Sequence, residues 1–240
     1  SPQTSLKASG VALFGSWIFQ CRLLGKRIRI ECTEEFKRKA GILQIDALTG
    51  PDISASSDKP LPYCVPIQSI ADDDDMFRTV SQICELVLKN IEDTKSLLPA
   101  VEWCANEVID NVLRHAESQS PGCVCATFDA KSKRLDIAIC DSGRGILESI
   151  RESHNPFNNA EAINLAITKG VTRDLKVGQG FGLAGSLEIV EKNKGSFQLT
   201  SGDIRLERNG EFERHSQLPN VAGTLVLLSF DTNNPLTLDE

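Results

Sequence analysis

The sequence predicts an α+β fold, a two-layer sandwich with helices on one face of a mixed β-sheet, preceded by a small N-terminal α/β segment. Three observations predict it. Apolar residues recur at helical spacing over 77–91 and again over 98–112. Leu135, Ile137 and Ile139 alternate with polar neighbours, as on a half-buried strand. Asn209-Gly210 stands between two strand-like runs and signals a hairpin. Helical stripes beside alternating strands must bury their apolar faces on each other, which makes two layers.

The elements follow in order. Residues 8–24 read as an apolar helix that Gly25 stops, 27–31 (RIRIE) as a short strand, and 33–40 as a helix capped by Thr33. Residues 1–52 are therefore expected to form a partial α/β unit. The stretch 53–66 is rich in Ser and Pro, and Asp72, Asp73, Asp74 and Asp75 follow, so 53–75 reads as a linker. The four acids are expected to feed negative charge into a helix N-terminus, where the helix dipole favours it. The main domain is expected over 76–232. Its first helix carries Phe77, Val80, Ile83, Val87 and Ile91 on one stripe. Its second starts after Ser96 and runs through His115, with Leu98, Val101, Cys104, Val108 and Val112 on the apolar side. Strands follow at 123–128 and 135–140, then a loop-like stretch at 147–177 and a helix at 183–191. Strands at 196–200 and 204–207, a return strand with Phe212, and a final apolar strand at 224–230 complete it. Residues 233–240 read as a tail.

The chain has 240 residues, 40% hydrophobic and 25% charged, which suits a soluble globular protein. A domain of about 150 residues is stable without disulfides or metals. A net charge of −7 and a pI near 5.1 argue against nucleic acid or an anionic membrane as the main partner. No segment approaches the roughly 18 apolar residues that span a bilayer. Eight cysteines, at 21, 32, 64, 84, 104, 123, 125 and 140, contain no C-x-x-C pair. They read as reduced core thiols of a cytoplasmic protein rather than a zinc site or disulfide framework. With no signal-peptide pattern and Met76 as the single methionine, the natural protein is expected to start further upstream.

Three constellations carry chemistry. Glu107 and Asn111 lie four apart within NEVIDNVLRHA, so both project from one helical face. An Asn amide oxygen is a suitable hard ligand for Mg²⁺, and a neighbouring carboxylate can act as a general base. His115 extends the same face and reads as structural. The second is Asp141-Ser142-Gly143-Arg144-Gly145, directly after a strand. A strand-end aspartate can accept a hydrogen bond from an exocyclic amine, and glycines two apart let backbone approach a flat ring. The third is Gly178-Gln179-Gly180-Phe181-Gly182-Leu183, opening a helix whose N–H groups suit a polyphosphate. The run 180–185 also spells G-x-G-x-x-G, but no strand precedes it and a hairpin follows, so the dinucleotide-fold reading fails.

An E-x-x-x-N helix, a D-x-G-x-G strand end and a G-x-G-x-G helix start, in that order, resemble the N, G1 and G2 boxes of the GHKL ATPases. Gly223-Thr224 is similar to the last box of that family. The resemblance covers about 150 residues and implies the Bergerat fold. It further implies ATP as cofactor with Mg²⁺ held by Asn111, adenine read by Asp141 with support from Thr224, phosphates held by Gly178, Gly180 and Gly182, and Gly143, Gly145 and Leu183 as further cofactor-binding residues. Glu107 would be the catalytic base. The stretch 147–177 would be a lid over the nucleotide, mobile without it, with Pro156-Phe157 as an anchor. Thr172, Arg173 and Lys176, just ahead of the glycines, are candidates for the phosphate oxygens. Residues 1–52 also resemble the latter half of a STAS domain, in the order helix, Gly-Lys turn, strand, helix.

The resemblance leaves function open among classes. None of the three histidines lies on a preceding dimerisation helix, so histidine autokinase activity is not expected. An ATP-hydrolysing conformational switch, read by a protein partner or by a second copy in a homodimer, is the leading expectation. The alternatives are a serine/threonine kinase of the anti-sigma-factor type and an ATP-sensing module that does not hydrolyse. Phosphate release against phosphate transfer separates them.

Overall fold

The computed structural model describes residues 12, 63–92, 94–170, 182–234 and 236. The element order is β1 (Cys64–Ile70), α1 (Asp73–Asn90), α2 (Leu97–His115), β2 (Gly122–Asp129), β3 (Arg134–Cys140), α3 (Gly145–His154), α4 (Asn159–Ala166), α5 (Gly182–Lys192), β4 (Ser196–Asn209) and β5 (Phe212–Asp231). The five strands form one sheet in the order β1-β2-β3-β5-β4. The α+β sandwich is as the sequence predicts. Every described strand pair is antiparallel, so the described sheet is not mixed.

The acidic run works as a helix start. Asp72 caps α1 by accepting from the Asp75 amide at 2.9 Å, and the Asp75 carboxylate accepts from the Ala71 amide at 2.9 Å. This reciprocal pairing satisfies two donors that a helix end would otherwise leave open. α1 then buries Val80, Ile83, Leu86 and Val87, but Phe77 falls off the stripe and is exposed. α2 has the bounds the sequence predicts and buries Val101, Cys104, Ala105, Val108 and Ile109. Against these helices the sheet presents Val124, Ala126, Phe128, Leu135, Ile137, Ile139, Phe197, Leu199, Val226, Leu228 and Phe230, which close one core.

Four segments differ from the sequence reading; in one, the return strand with Phe212 and the final strand at 224–230 are the single strand β5. Cys64–Ile70, read there as linker and the lead-in to the first helix, is strand β1 and pairs with β2 through a register shift between Val65 and Gln68. Pro66 hides this strand from a propensity reading, yet proline is tolerated at a sheet edge or bulge. The stretch 147–177 holds most of α3 and all of α4 instead of a loop. Asn158 caps α4 by accepting from Glu161, and the short helices bury Ile146, Ile150, Ala162 and Ile163. Two apolar residues per helix are too few to show a period in sequence. Finally, the break read between 200 and 204 is an irregularity within continuous β4, at Gly202, which has a positive φ and lies against the Asn159 amide. The expected helix–strand–helix of 1–52 lies, apart from Ala12, outside the described residues. Among the described residues no helix is long and apolar enough to cross a membrane.

Candidate nucleotide site

Two groups of side chains converge on the C-terminal half of α2. In the first, Glu107 and Asn111 stand one turn apart, half-buried, along the border of the face that fills the core. Gly182, the first residue of α5, lies directly on them. A Cβ at Gly182 would come within 3.1 Å of the Glu107 Oε2 and 3.4 Å of the Asn111 Nδ2. The N-terminus of α5, with its open N–H groups and positive dipole end, is thereby set beside a carboxylate and an amide. Burial, and the nearby Asp110 charge, push the Glu107 carboxyl above its ordinary range. Such a group holds a proton more readily than a surface glutamate does. Leu183 packs partly against the core. The Ser186 hydroxyl donates to the Gly182 carbonyl at 2.8 Å and fixes the first turn of α5.

The second group begins where β3 ends. Asp141 is only 5% exposed. Burial raises its carboxyl to about 6, against the lowering effect of hydrogen bonds from the backbone N–H groups of Gly143 and Thr224. The Gly143 amide donates to Oδ1 at 2.7 Å, and the Asp141 amide donates to the Thr224 carbonyl at 3.0 Å. Asp141 and Thr224 are thus locked side by side as the β3–β5 ladder ends. Gly223 supplies the fit: its φ is +79°, and a Cβ there would overlap the Asp141 backbone.

The turn that follows Asp141 is clamped from both sides. A Cβ on Gly143 would overlap the Ala116 carbonyl just past α2. The Arg144 amide donates to that carbonyl at 2.9 Å, its Nε donates to the His115 carbonyl at 3.0 Å, and its Nη1 pairs with Glu117 at 3.0 Å. His115 therefore contributes its backbone here, in keeping with a structural role. On the other side, Gly145 has a φ of +74° and lies against Ser201. The buried Ser201 hydroxyl accepts from the Ile146 amide at 2.9 Å and donates to the Gly223 carbonyl at 3.1 Å. One side chain joins the start of α3 to the segment holding Thr224. Sequence reading missed Ser201, because a serine in a strand has no signature of its own. It also missed Ser118, Ser120 and Ser142, whose hydroxyls bond to one another between the end of α2 and the turn.

Of the residues singled out in sequence, the structure groups Glu107, Asn111 and Gly182, and separately Asp141, Gly143, Gly145 and Thr224. Thr172, Arg173, Lys176, Gly178 and Gly180 lie outside the described residues. Pro156 is buried as an anchor would be, whereas Phe157 is 90% exposed and packs on nothing that would hold a lid. A cleft between β1 and α1, lined by Gln68, Gln82, Asn90 and the paired Glu85 and Lys89 among others, includes none of these residues.

The chain matches the family described as Histidine kinase-, DNA gyrase B-, and HSP90-like ATPase over residues 99–231, more than half its length. It belongs to that family. The match begins within α2 and ends with β5, so it encloses both groups of side chains. No curated protein matches the chain. This GHKL chain has the fold of its family, and its coarse function is the family's: ATP binding of the ATPase type. The described residues fit such a ligand. A buried carboxylate at a strand end, between two positions where only glycine fits, offers an acceptor. A helix start beside an amide and a carboxylate offers the complement of a phosphate–metal group.

Proposed function

We propose that this GHKL chain binds ATP with Mg²⁺, hydrolyses it, and serves as a nucleotide-driven conformational switch for a protein partner. The observation that carries the reading is the seating of Gly182 on Glu107 and Asn111, with Asp141 held by Gly143 and Thr224. Asp141 accepts the hydrogen bond of the adenine amine, and its burial makes that bond selective. Thr224 holds the carboxylate in place. Asn111 offers its amide oxygen to Mg²⁺, and the start of α5 offers N–H groups to the phosphates. Mg²⁺, when bound, neutralises phosphate charge. Glu107, half-buried and raised in pKa, takes a proton from the attacking water.

The test is incubation with γ-labelled ATP, alone and with candidate partner proteins. Label that appears as free phosphate supports hydrolysis. Label on a protein hydroxyl would replace this reading with a serine/threonine kinase of the anti-sigma-factor type. Binding with neither outcome would leave an ATP-sensing module.

A further inference from the structure

The sheet has a second face, opposite the helices that close the core, and that face is also buried. Directly paired residues of an antiparallel sheet share a face. The register therefore sets Cys123, Cys140, Leu225 and Thr200 in one row, and Cys125, Ala138 and Leu227 in the next. All seven are buried, yet none belongs to the core under α1, α2 and α5. Beyond them the row of Thr127, Asp136 and Ser229 turns polar. A band without charge, buried on the face the described helices leave alone, needs a cover.

Ala12 shows where the cover comes from. It is helical and fully buried. Its carbonyl accepts from the Cys140 thiol at 2.9 Å, and its backbone also bonds the Cys125 thiol. Those two thiols belong to adjacent rows on neighbouring strands, so Ala12 sits over the β2–β3 part of the band. Small residues favour so close an approach of backbone to sheet side chains. In sequence, Ala8, Ser9, Gly15 and Ser16 flank Ala12 at spacings of three and four, and no charged residue occurs over 11–21.

We propose that the apolar run 8–24 is the occupant of this second face, an intramolecular cover seated on Cys123, Cys125 and Cys140, and not a separate domain. Its docking holds the last residue of β3, one peptide bond from Asp141.

The experiment is pulse labelling of the full chain with iodoacetamide under native conditions, mapped by peptide mass. Cys104 is the internal control, because it is equally buried but lies in α2 under the other face. Ala12→Asp places a carboxylate on the apolar band and should expel the run. The expected result is labelling of Cys123, Cys125 and Cys140 at least about tenfold faster than in the wild type, with Cys104 still protected, as for a local opening. Thiols as protected as in the wild type would overturn the proposal. Should Cys104 label as well, the variant has unfolded and the milder Ala12→Cys decides. Under diamide its introduced thiol should form an intrachain disulfide with Cys140 or Cys125. No cross-link defeats the proposal, and a cross-link between two chains assigns the face to a second copy instead.

Discussion

Asp141 illustrates a conflict between stability and function at a single residue. Its carboxyl titrates near 3.8 ordinarily and near 6 here, because burial penalises the charged form. Between those values the folded state binds the proton more tightly than the unfolded chain does. Stability therefore falls as pH rises from about 4 to 6, and the penalty persists above 6. Its size is on the order of 2–3 kcal/mol. Asp141→Asn should remove this slope and raise the melting temperature of the nucleotide-free protein at pH 7.5. The same variant should lose about 1–3 kcal/mol of ATP affinity, the worth of a charge-assisted hydrogen bond. Thermal melts from pH 4 to 8 and calorimetry measure both, and parallel melting curves for the two proteins would contradict the burial argument. Glu107 and Asn111 make the complementary pair. Glu107→Ala should abolish turnover and leave ATP affinity nearly intact, whereas Asn111→Ala should lose both, because Mg²⁺ would be misplaced. Equal phosphate release by the wild type and Glu107→Ala would end the base assignment.

At the scale of elements, the site depends on how loops are fastened to helix ends. The turn after β3 hangs between the end of α2, through Ala116 and Arg144, and the irregular part of β4, through Ser201. Ser201→Ala would leave the Ile146 amide without its acceptor and the Gly223 carbonyl without that donor, both in buried surroundings. A loss of about 1–3 kcal/mol is expected for such groups. ATP affinity should fall with it, since Gly223 lies against Asp141 and leads into Thr224, which holds it. A urea midpoint and an affinity that both match the wild type would show that Ser201 does not couple the two segments.

For the molecule as a whole, α3 and α4 bind the stretch after Asp141 onto the long β4–β5 hairpin. Asn159 donates to Asp203 at 2.8 Å, and the His215 ring bonds the Asn164 side chain at 3.0 Å. Ile146, Ile150, Ala162 and Ile163 are buried beneath these contacts. Hydrogen exchange in the nucleotide-free protein should therefore find slow amides at Ile150 and Ile163. Fast exchange at both would restore the picture of the mobile lid over 147–177 that the sequence suggests.

The sequence by itself determined the sandwich, the bounds of α2, the hairpin at Asn209-Gly210 and the family, because these rest on local periodicity and on motifs in fixed order. It also named Asp141, Glu107 and Asn111, whose spacing and position at element ends need no tertiary knowledge. The tertiary structure decided the rest. That Gly182 seats on Glu107 and Asn111, across some 70 intervening residues, depends on packing between α2 and α5. Ser201 became part of the site only through an irregularity in β4 that no local pattern announces. Strand β1, with its proline, exists because β2 pairs with it. Each of these is a long-range contact, and its energy appears only when distant segments meet in the folded core.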